Sequence, residues 1–255
     1  NGANDGEEPE MHPLEFGASQ EWNGARLTAF PAGHILGAAQ LLVEYGNERL
    51  VYTGDLKLRP PLCGDTATVI PCDRLIIEST FGLPIYRLLT REEAAQRMIS
   101  FARECLDDGI TPAFIGYPLG RGQEIVHVLT NAGIRTGVHG AIAKFIPVYQ
   151  RYDYLFGNWE PYDARAVAGK ALVVVPAQGP PLEASEKHIR IAYVSGWAAL
   201  DNARARTGAT ELIPYSDHAD FFELMDYCER SGAAQIDTVH GYTEPFAHVL
   251  RTRGF

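Results

Sequence analysis

The pattern of apolar and polar residues along the chain predicts a mixed α/β fold. Two runs rich in apolar residues, 40–45 and 49–53, flank the turn Gly46-Asn47-Glu48, which predicts a β-hairpin. Other strands are predicted where short runs are rich in branched apolar residues, at 26–30, 74–78, 113–117, 191–196, 211–215 and 235–239.

Helices are predicted where apolar residues recur every three or four positions. Thr90 and Glu93 form a capping-box pattern at the start of a helix that runs to about 108, and Gly109 ends it. The remaining predicted helices are at 121–132, near 220–229 and after Thr243.

The order of these elements predicts a host domain interrupted by an insert. Strands and helices alternate over 83–190, which is typical of a parallel sheet covered by helices. We assign 1–82 and 191–255 to the two segments of the host, and we expect 1–20, rich in Gly, Glu and Pro, to be loop.

Composition and charge narrow the possible function classes. The 255 residues include 22 Lys and Arg against 32 Asp and Glu, a net charge of −10. Phosphate affinity comes largely from Lys and Arg, so a nucleic-acid ligand would require a metal ion or a local basic groove. No run approaches the roughly 18 apolar residues of a membrane span, so no membrane partner is expected. The four cysteines form no Cys-x-x-Cys pair, which predicts reduced thiols in a cytoplasmic protein.

Five ionisable residues follow the ends of predicted strands. His34, His218 and His240 do so, and so do Asp55 and Glu78. Loops at strand ends converge on one edge of a layered α/β protein, and imidazole with carboxylate suits zinc or manganese. The alternative, that these are five unrelated polar loop residues, has similar weight on spacing alone.

Five short motifs occur along the chain in the same order as in a known group of proteins. They lie at 33–40, 52–55, 78–82, 216–220 and 238–241. Together they resemble the motifs of the metallo-β-lactamase-fold nucleases of the β-CASP group. The stretches 78–87 and 240–243 are similar to a bacterial branch of ligase-associated DNA exonucleases, also described as mRNA 3′-end-processing-factor-like exonucleases. The resemblance implies a metallo-β-lactamase-like αββα sandwich with an inserted α/β β-CASP domain.

The resemblance also assigns roles to the five strand-end residues. His34 is implied as a ligand of one metal ion, Asp55 as a carboxylate bridging two ions, and His240 as a ligand of the second. His218 is implied to face the scissile phosphate as an acid or phosphate-stabilising donor, with Glu78 orienting it. Two zinc ions are implied, with manganese an alternative; they would hold the phosphate and activate water.

The predicted insert carries candidate nucleic-acid contacts. The stretch at 120–124 resembles the Gly-Arg-x-Gln-Glu segment of β-CASP inserts, so Arg121 and Gln123 are predicted to contact a backbone phosphate at a helix N-terminus. An ordinary strand-to-helix turn is the alternative. Arg87 and Lys144 are further candidates for the same groove.

One motif of the group is missing from this sequence. These nucleases carry His-x-His-x-Asp-His upstream of the segment matching His34, and here no two histidines are separated by a single residue. The resemblance therefore implies an N-terminally shortened metallo-β-lactamase part with impaired metal binding.

The predicted function is a metal-dependent nucleic-acid phosphodiesterase, most simply a DNA exonuclease with a DNA ligase as a partner by family association. The alternatives are an RNA 3′-end-processing nuclease of the same group and a catalytically inactive nucleic-acid-binding module. A thioesterase-like hydrolase is disfavoured by the insert and by the pairing of His218 with Glu78.

Overall fold

Two six-stranded sheets form the frame of the computed structural model, which describes residues 13–163, 166–175 and 188–255. The strands are β1 (Ser19–Trp22), β2 (Ala25–Pro31), β3 (Ala39–Tyr45), β4 (Glu48–Tyr52), β5 (Arg74–Ser79), β6 (Thr111–Ile115), β7 (Thr136–Val138), β8 (Trp159–Pro161), β9 (Ala171–Val174), β10 (Ile189–Val194), β11 (Glu211–Ile213) and β12 (Gln235–Gly241). The α-helices are α1 (Arg91–Asp107), α2 (Arg121–Asn131), α3 (Gly140–Ala143), α4 (Ile146–Gln150), α5 (Ala203–Thr207), α6 (Phe221–Ser231) and α7 (Thr243–Thr252). A 3₁₀ helix spans Gly196–Ala199. The α/β class is therefore confirmed.

The first sheet has the strand order β1-β2-β3-β4-β5-β12. Its first four strands are antiparallel, and the predicted hairpin is confirmed as β3 paired with β4. Strands β4, β5 and β12 are parallel to one another. The chain therefore leaves β2, β4, β5 and β12 at the same edge of this sheet. Of the predicted N-terminal loop, 1–12 lies outside the described residues, while Ser19–Trp22 forms the edge strand β1.

The second sheet has the strand order β11-β10-β6-β9-β7-β8, with every neighbouring pair parallel. Strands β10 and β11 belong to this sheet, although their residues 191–213 were predicted to lie in the host. The chain returns to the first sheet only after Ile213, and the domain boundary after residue 190 stays a prediction. Apolar runs predict strands but do not show which sheet a strand joins.

Each sheet packs helices over its own apolar core. Helix α1 starts with the predicted capping box of Thr90 and Glu93, and it buries Met98 and Phe101 against the second sheet. Helices α6 and α7 bury Leu224 and Phe246 against the first sheet. No helix in the described ranges combines the length and apolarity needed to cross a membrane.

Candidate active site

Loops from both sheets meet at one cleft. The loops that follow β2 and β5 come from the first sheet, and those that follow β6, β10 and β11 come from the second. They enclose a cavity of about 200 Å³. Its lining includes His34, Phe81, Tyr117, Trp197, Asp217 and His218. Carboxyl ends of parallel strands are where α/β sheets form binding sites, so this cleft is the candidate site.

Glu78 and His218 form a hydrogen-bonded pair at the base of the cleft. The Nδ1 atom of His218 lies 2.9 Å from Oε1 of Glu78, and since a carboxylate only accepts, Nδ1 carries the proton. Burial would lower the pKa of His218, but the hydrogen bond and charge of Glu78 raise it above its ordinary value. Burial would likewise raise the pKa of Glu78, and the bond to His218 keeps it lowered instead. The pair therefore favours an imidazolium whose Nε2 is left for a substrate.

Backbone groups fix the Glu78 carboxylate from the other sides. Leu56 N donates to Oε1 at 2.6 Å and Thr80 N donates to Oε2 at 3.2 Å, while the side chain is fully buried. A carboxylate with several donors is stabilised in its charged form. Since Leu56 follows Asp55, the same contact also ties the Asp55 loop to β5.

His34 and Asp55 face each other beside this pair. The Nδ1 atom of His34 lies 3.0 Å from the carbonyl oxygen of Asp217, so Nδ1 donates and Nε2 carries a lone pair. That Nε2 lies 3.7 Å from Oδ2 of Asp55. Two electron-rich atoms this close can bind one metal ion between them. The His34 and His218 rings are 4.4 Å apart between centroids, which places the two parts in one site.

The described residues fit part of a metal centre. Within these ranges, two sets of three donor atoms lie within 4.8 Å of one another: His34 with Asp217 and His218, and Asp55 with Glu78 and His218. Asp217 and Glu78 already have cationic partners, which leaves His34 and Asp55 as the free donors. An imidazole whose other nitrogen donates to a backbone carbonyl is a typical ligand arrangement. Structural and catalytic zinc sites use three or four protein ligands, so these two donors supply one edge of such a centre.

His240 lies next to the cluster in the sheet but its side chain does not join it. The residue sits in a β-bulge of β12 between Val239 and Gly241, with φ of 54°, and it is exposed. Ser79 Oγ donates to its carbonyl oxygen. Bulges beside active sites redirect side chains. The imidazole belongs to neither donor set, and its role as a ligand stays a prediction.

Arg121 is a buried ion-pair partner and not an open phosphate contact. Its Nη2 donates to Oδ1 of Asp217, and it also lies 3.1 Å from Ser216 Oγ. Both charged side chains are buried, and burial would raise the pKa of Asp217, but the Arg121 charge lowers it to about 2. A Cβ on Gly120 would lie 3.0 Å from Asp217 Oδ2. The first turn of α2 is therefore packed directly against the loop that carries His218.

Three other predicted nucleic-acid contacts are also placed differently from expectation. Gln123 is fully buried and donates to the carbonyls of Pro118 and Ile142, so its side chain holds the turn before α2, and its contact with nucleic acid stays a prediction. Arg87 is exposed but stacks on Phe222 and lines a separate depression. Lys144 is exposed over the Phe145 ring and lies outside the lining of the 200 Å³ cavity.

Sequence reasoning missed the residues that hold the His218 loop. Lys57 is buried and its Nζ donates to the carbonyl of Ser216, although burial lowers its pKa. Arg59 pairs with Asp220 and with Glu223, the cap and third residue of α6. The available signal was the density of charge around 55–59 and 217–223, which includes residues of both signs.

The free energy of unfolding should fall in acid through Glu223. Burial would raise its pKa, but Lys57 and Arg59 keep it lowered. Its stabilising contribution is therefore complete above the unfolded value of about 4.3 and is lost as pH falls toward the folded pKa. Urea unfolding between pH 5 and about 3 should show that the free energy of unfolding falls less steeply with pH in Glu223→Gln than in the wild type. The exposed Glu229→Gln on the same helix serves as the control; equal slopes in all three proteins would contradict the expectation.

The chain is similar in sequence to curated proteins named as a probable DNA ligase, an endoribonuclease and a polyadenylation factor. The chain is 32% identical over 248 residues, 95% of its length, to a protein named "Probable DNA ligase" from Opitutus terrae. It is 35% identical over 121 residues to Endoribonuclease YSH1 of Yarrowia lipolytica, and 33% identical over 121 residues to cleavage and polyadenylation specificity factor subunit 3 of Dictyostelium discoideum. The chain spans 24%, 14% and 15% of these relatives, a quarter or less of each.

A solved structure shares the fold. It is a protein of unknown function from Enterococcus faecalis, with a TM-score of 0.64 and 15% identity. The alignment covers 92% of this chain and 63% of the other. At this identity the match concerns the fold alone. No protein-family model matches the chain.

Proposed function

We propose, from the premise that this chain is a relative of the metallo-β-lactamase-fold nucleases of the β-CASP group, that it is a metal-dependent phosphodiesterase acting on nucleic acid. The observation that carries the proposal is the geometry of His218, which is bonded to Glu78 at 2.9 Å and lies within 4.4 Å of the His34 ring. A proton donor, His218, and a candidate metal ligand, His34, thus line one small cavity, and the second candidate ligand, Asp55, lies 3.7 Å from His34.

The chain's own residues would bind and protonate the substrate. The Nε2–H of His218 would donate to a phosphate oxygen or to the leaving oxygen, while Glu78 keeps the ring charged and correctly oriented. Proton transfer of this kind contributes rate factors of about 10²–10⁴. His34 and Asp55 would hold the metal ion, with His240 as an additional ligand. When bound, that ion would polarise the phosphate and activate water.

Each sheet would correspond to one of the two domains expected for the family. The first sheet with α6 and α7 would be the metallo-β-lactamase part, and the second sheet would be the β-CASP insert. The candidate site lies where the two meet, and the Arg121–Asp217 pair there fixes the loop that runs from β11 toward α6.

DNA is the proposed substrate, cleaved from an end. Support comes from the relative named as a probable DNA ligase, which matches 95% of the chain and suggests a ligase as a functional partner. The relative named as an endoribonuclease and the relative named as a cleavage and polyadenylation factor support RNA cleavage as the alternative, and each matches about half of the chain.

A catalytically inactive binding module is a second candidate. The observation that favours it is the partial ligand set: two free donors, His34 and Asp55, face each other among the described residues. This candidate retains the cleft and its contacts with nucleic acid but performs no hydrolysis.

Cleavage of labelled oligonucleotides distinguishes these functions. The 255-residue chain would be incubated with Zn²⁺ or Mn²⁺ and end-labelled single-stranded DNA or RNA. We expect slow, metal-dependent release of nucleotides from DNA that is lost in His34→Ala, with the exposed His248→Ala as the matched control. Faster cleavage of RNA would favour the alternative substrate. Salt-sensitive binding without cleavage, with either metal, would contradict the enzyme and favour the binding module.

A further inference from the structure

An exposed aromatic ring stands at the mouth of the candidate site. Tyr117 is 43% exposed and lines the same cavity as His34 and His218. The guanidinium carbon of Arg121 lies 5.0 Å from the Tyr117 ring centroid, and Arg121 is itself buried. The Arg121 guanidinium thus covers one face of the Tyr117 ring and stabilises the position of the ring through a cation–π contact. The rest of the ring is open.

A second aromatic ring borders the cavity from the neighbouring strand. Trp197 lies in the 3₁₀ helix after β10, and Ser195 Oγ accepts from its backbone N at 3.3 Å. Its ring packs against Phe81 and Tyr86 with centroid distances of 5.0 Å and 5.8 Å. Packing against buried rings restricts the side chain, so Trp197 is a rigid wall of the cavity.

Tyr117 and Trp197 flank the point where the order of the second sheet reverses. Strands β6 and β10 are neighbours, yet the chain goes from β6 toward β7 on one side and from β10 toward β11 on the other. The two loops separate there and leave a crevice at the carboxyl ends of the strands. Ligands of open α/β sheets bind in crevices of this kind.

We propose that Tyr117, with Trp197 lining the same cavity, binds the unstacked terminal base of a single nucleic-acid strand. This inference rests on the proposed function, because the adjoining phosphodiester would then lie at His218. Every base has an aromatic face, so stacking accepts any sequence. The cavity of about 200 Å³ is smaller than the ~300–1,000 Å³ that enclose drug-sized ligands. It therefore suits one base and excludes a base pair.

Stacking also suits the charge of this chain. With a net charge of −10, the protein gains little from bulk attraction to phosphates. Leu119, 39% exposed, extends the apolar rim beside Tyr117. Affinity for a strand end would thus come from the base more than from the backbone.

Binding to oligonucleotides with and without terminal bases tests the proposal. Fluorescence anisotropy would compare an intact single strand with one that has abasic sites at both terminal positions. We expect the wild type to bind the intact strand about tenfold more tightly, which is within the range for one stacked base. Tyr117→Ala should remove this difference and leave the abasic affinity unchanged, while Tyr117→Phe should keep it. The exposed Tyr152→Ala is the matched control.

The outcomes separate this inference from the proposed function. Equal wild-type affinity for both strands, or equal weakening of both by Tyr117→Ala, would overturn the stacking site while nucleic-acid binding stands. A wild type that binds neither strand would overturn both. Retained discrimination in Tyr117→Ala would assign the base contact elsewhere and contradict the proposal.

Discussion

Replacing His218 by alanine should lower the rate of phosphodiester hydrolysis by about 10²–10⁴, the usual contribution of a positioned acid–base group. The ring is bonded to the buried Glu78 and lines the cavity, so its removal takes away the proton donor without breaking a backbone contact. Initial rates on an end-labelled single strand, at saturating metal, measure the effect.

Glu78→Gln should lower the rate of hydrolysis nearly as much as His218→Ala does. The double variant should lower the rate little more than either single substitution. Residues that act as one unit show this non-additivity. Unfolding curves for each variant separate lost catalysis from lost structure, because Glu78 also accepts from Leu56 N and Thr80 N. A rate for His218→Ala within a few-fold of the control His248→Ala would contradict the role of His218.

Arg121→Met should lower the free energy of unfolding by about 3–5 kcal/mol, because removing one partner of a buried ion pair leaves an uncompensated charge. The charge left behind is that of Asp217, which is buried and has its pKa held at about 2 by Arg121. Denaturant unfolding at neutral pH measures the change.

The double variant Arg121→Met with Asp217→Asn isolates the cause. With the carboxylate neutralised, much of the stability should return, since replacing a whole buried pair is far less costly than breaking it. Arg97→Met breaks the exposed pair with Glu211 and serves as the control. It should lower the free energy of unfolding by about 1 kcal/mol or less. If the double variant is as unstable as Arg121→Met alone, the uncompensated charge of Asp217 is not the cause of the lost stability.

Local patterns of the sequence were sufficient for much of the fold. The hairpin at Gly46-Asn47, the capping box at Thr90 and the parallel strands of the second sheet all follow from short-range periodicity and turn chemistry. Short-range patterns do not reveal that β10 and β11 belong to that sheet, because the pairing of β10 with β6 joins segments about 80 residues apart. The edge strand β1 was missed because its four residues are mostly exposed and show no apolar run.

The site was only partly accessible from the sequence. The motifs led to His34, Asp55, Glu78 and His218, and the structure brings these four together. For Arg121 the sequence was insufficient, because an arginine after a glycine at a helix start looks the same whether it contacts a phosphate or a buried carboxylate. Its partner Asp217 is 96 residues away, and only the folded chain reveals the pair.

Titration with Co²⁺ shows whether this cleft binds a metal ion, because the visible absorption of Co²⁺ reports coordination by protein ligands. If His34 and Asp55 hold a metal ion beside the Glu78–His218 pair, the wild type should develop a saturable band that is lost in His34→Ala and in Asp55→Asn and kept in His248→Ala. A band of equal size in all four proteins, or none in the wild type, would contradict a metal site in this cleft.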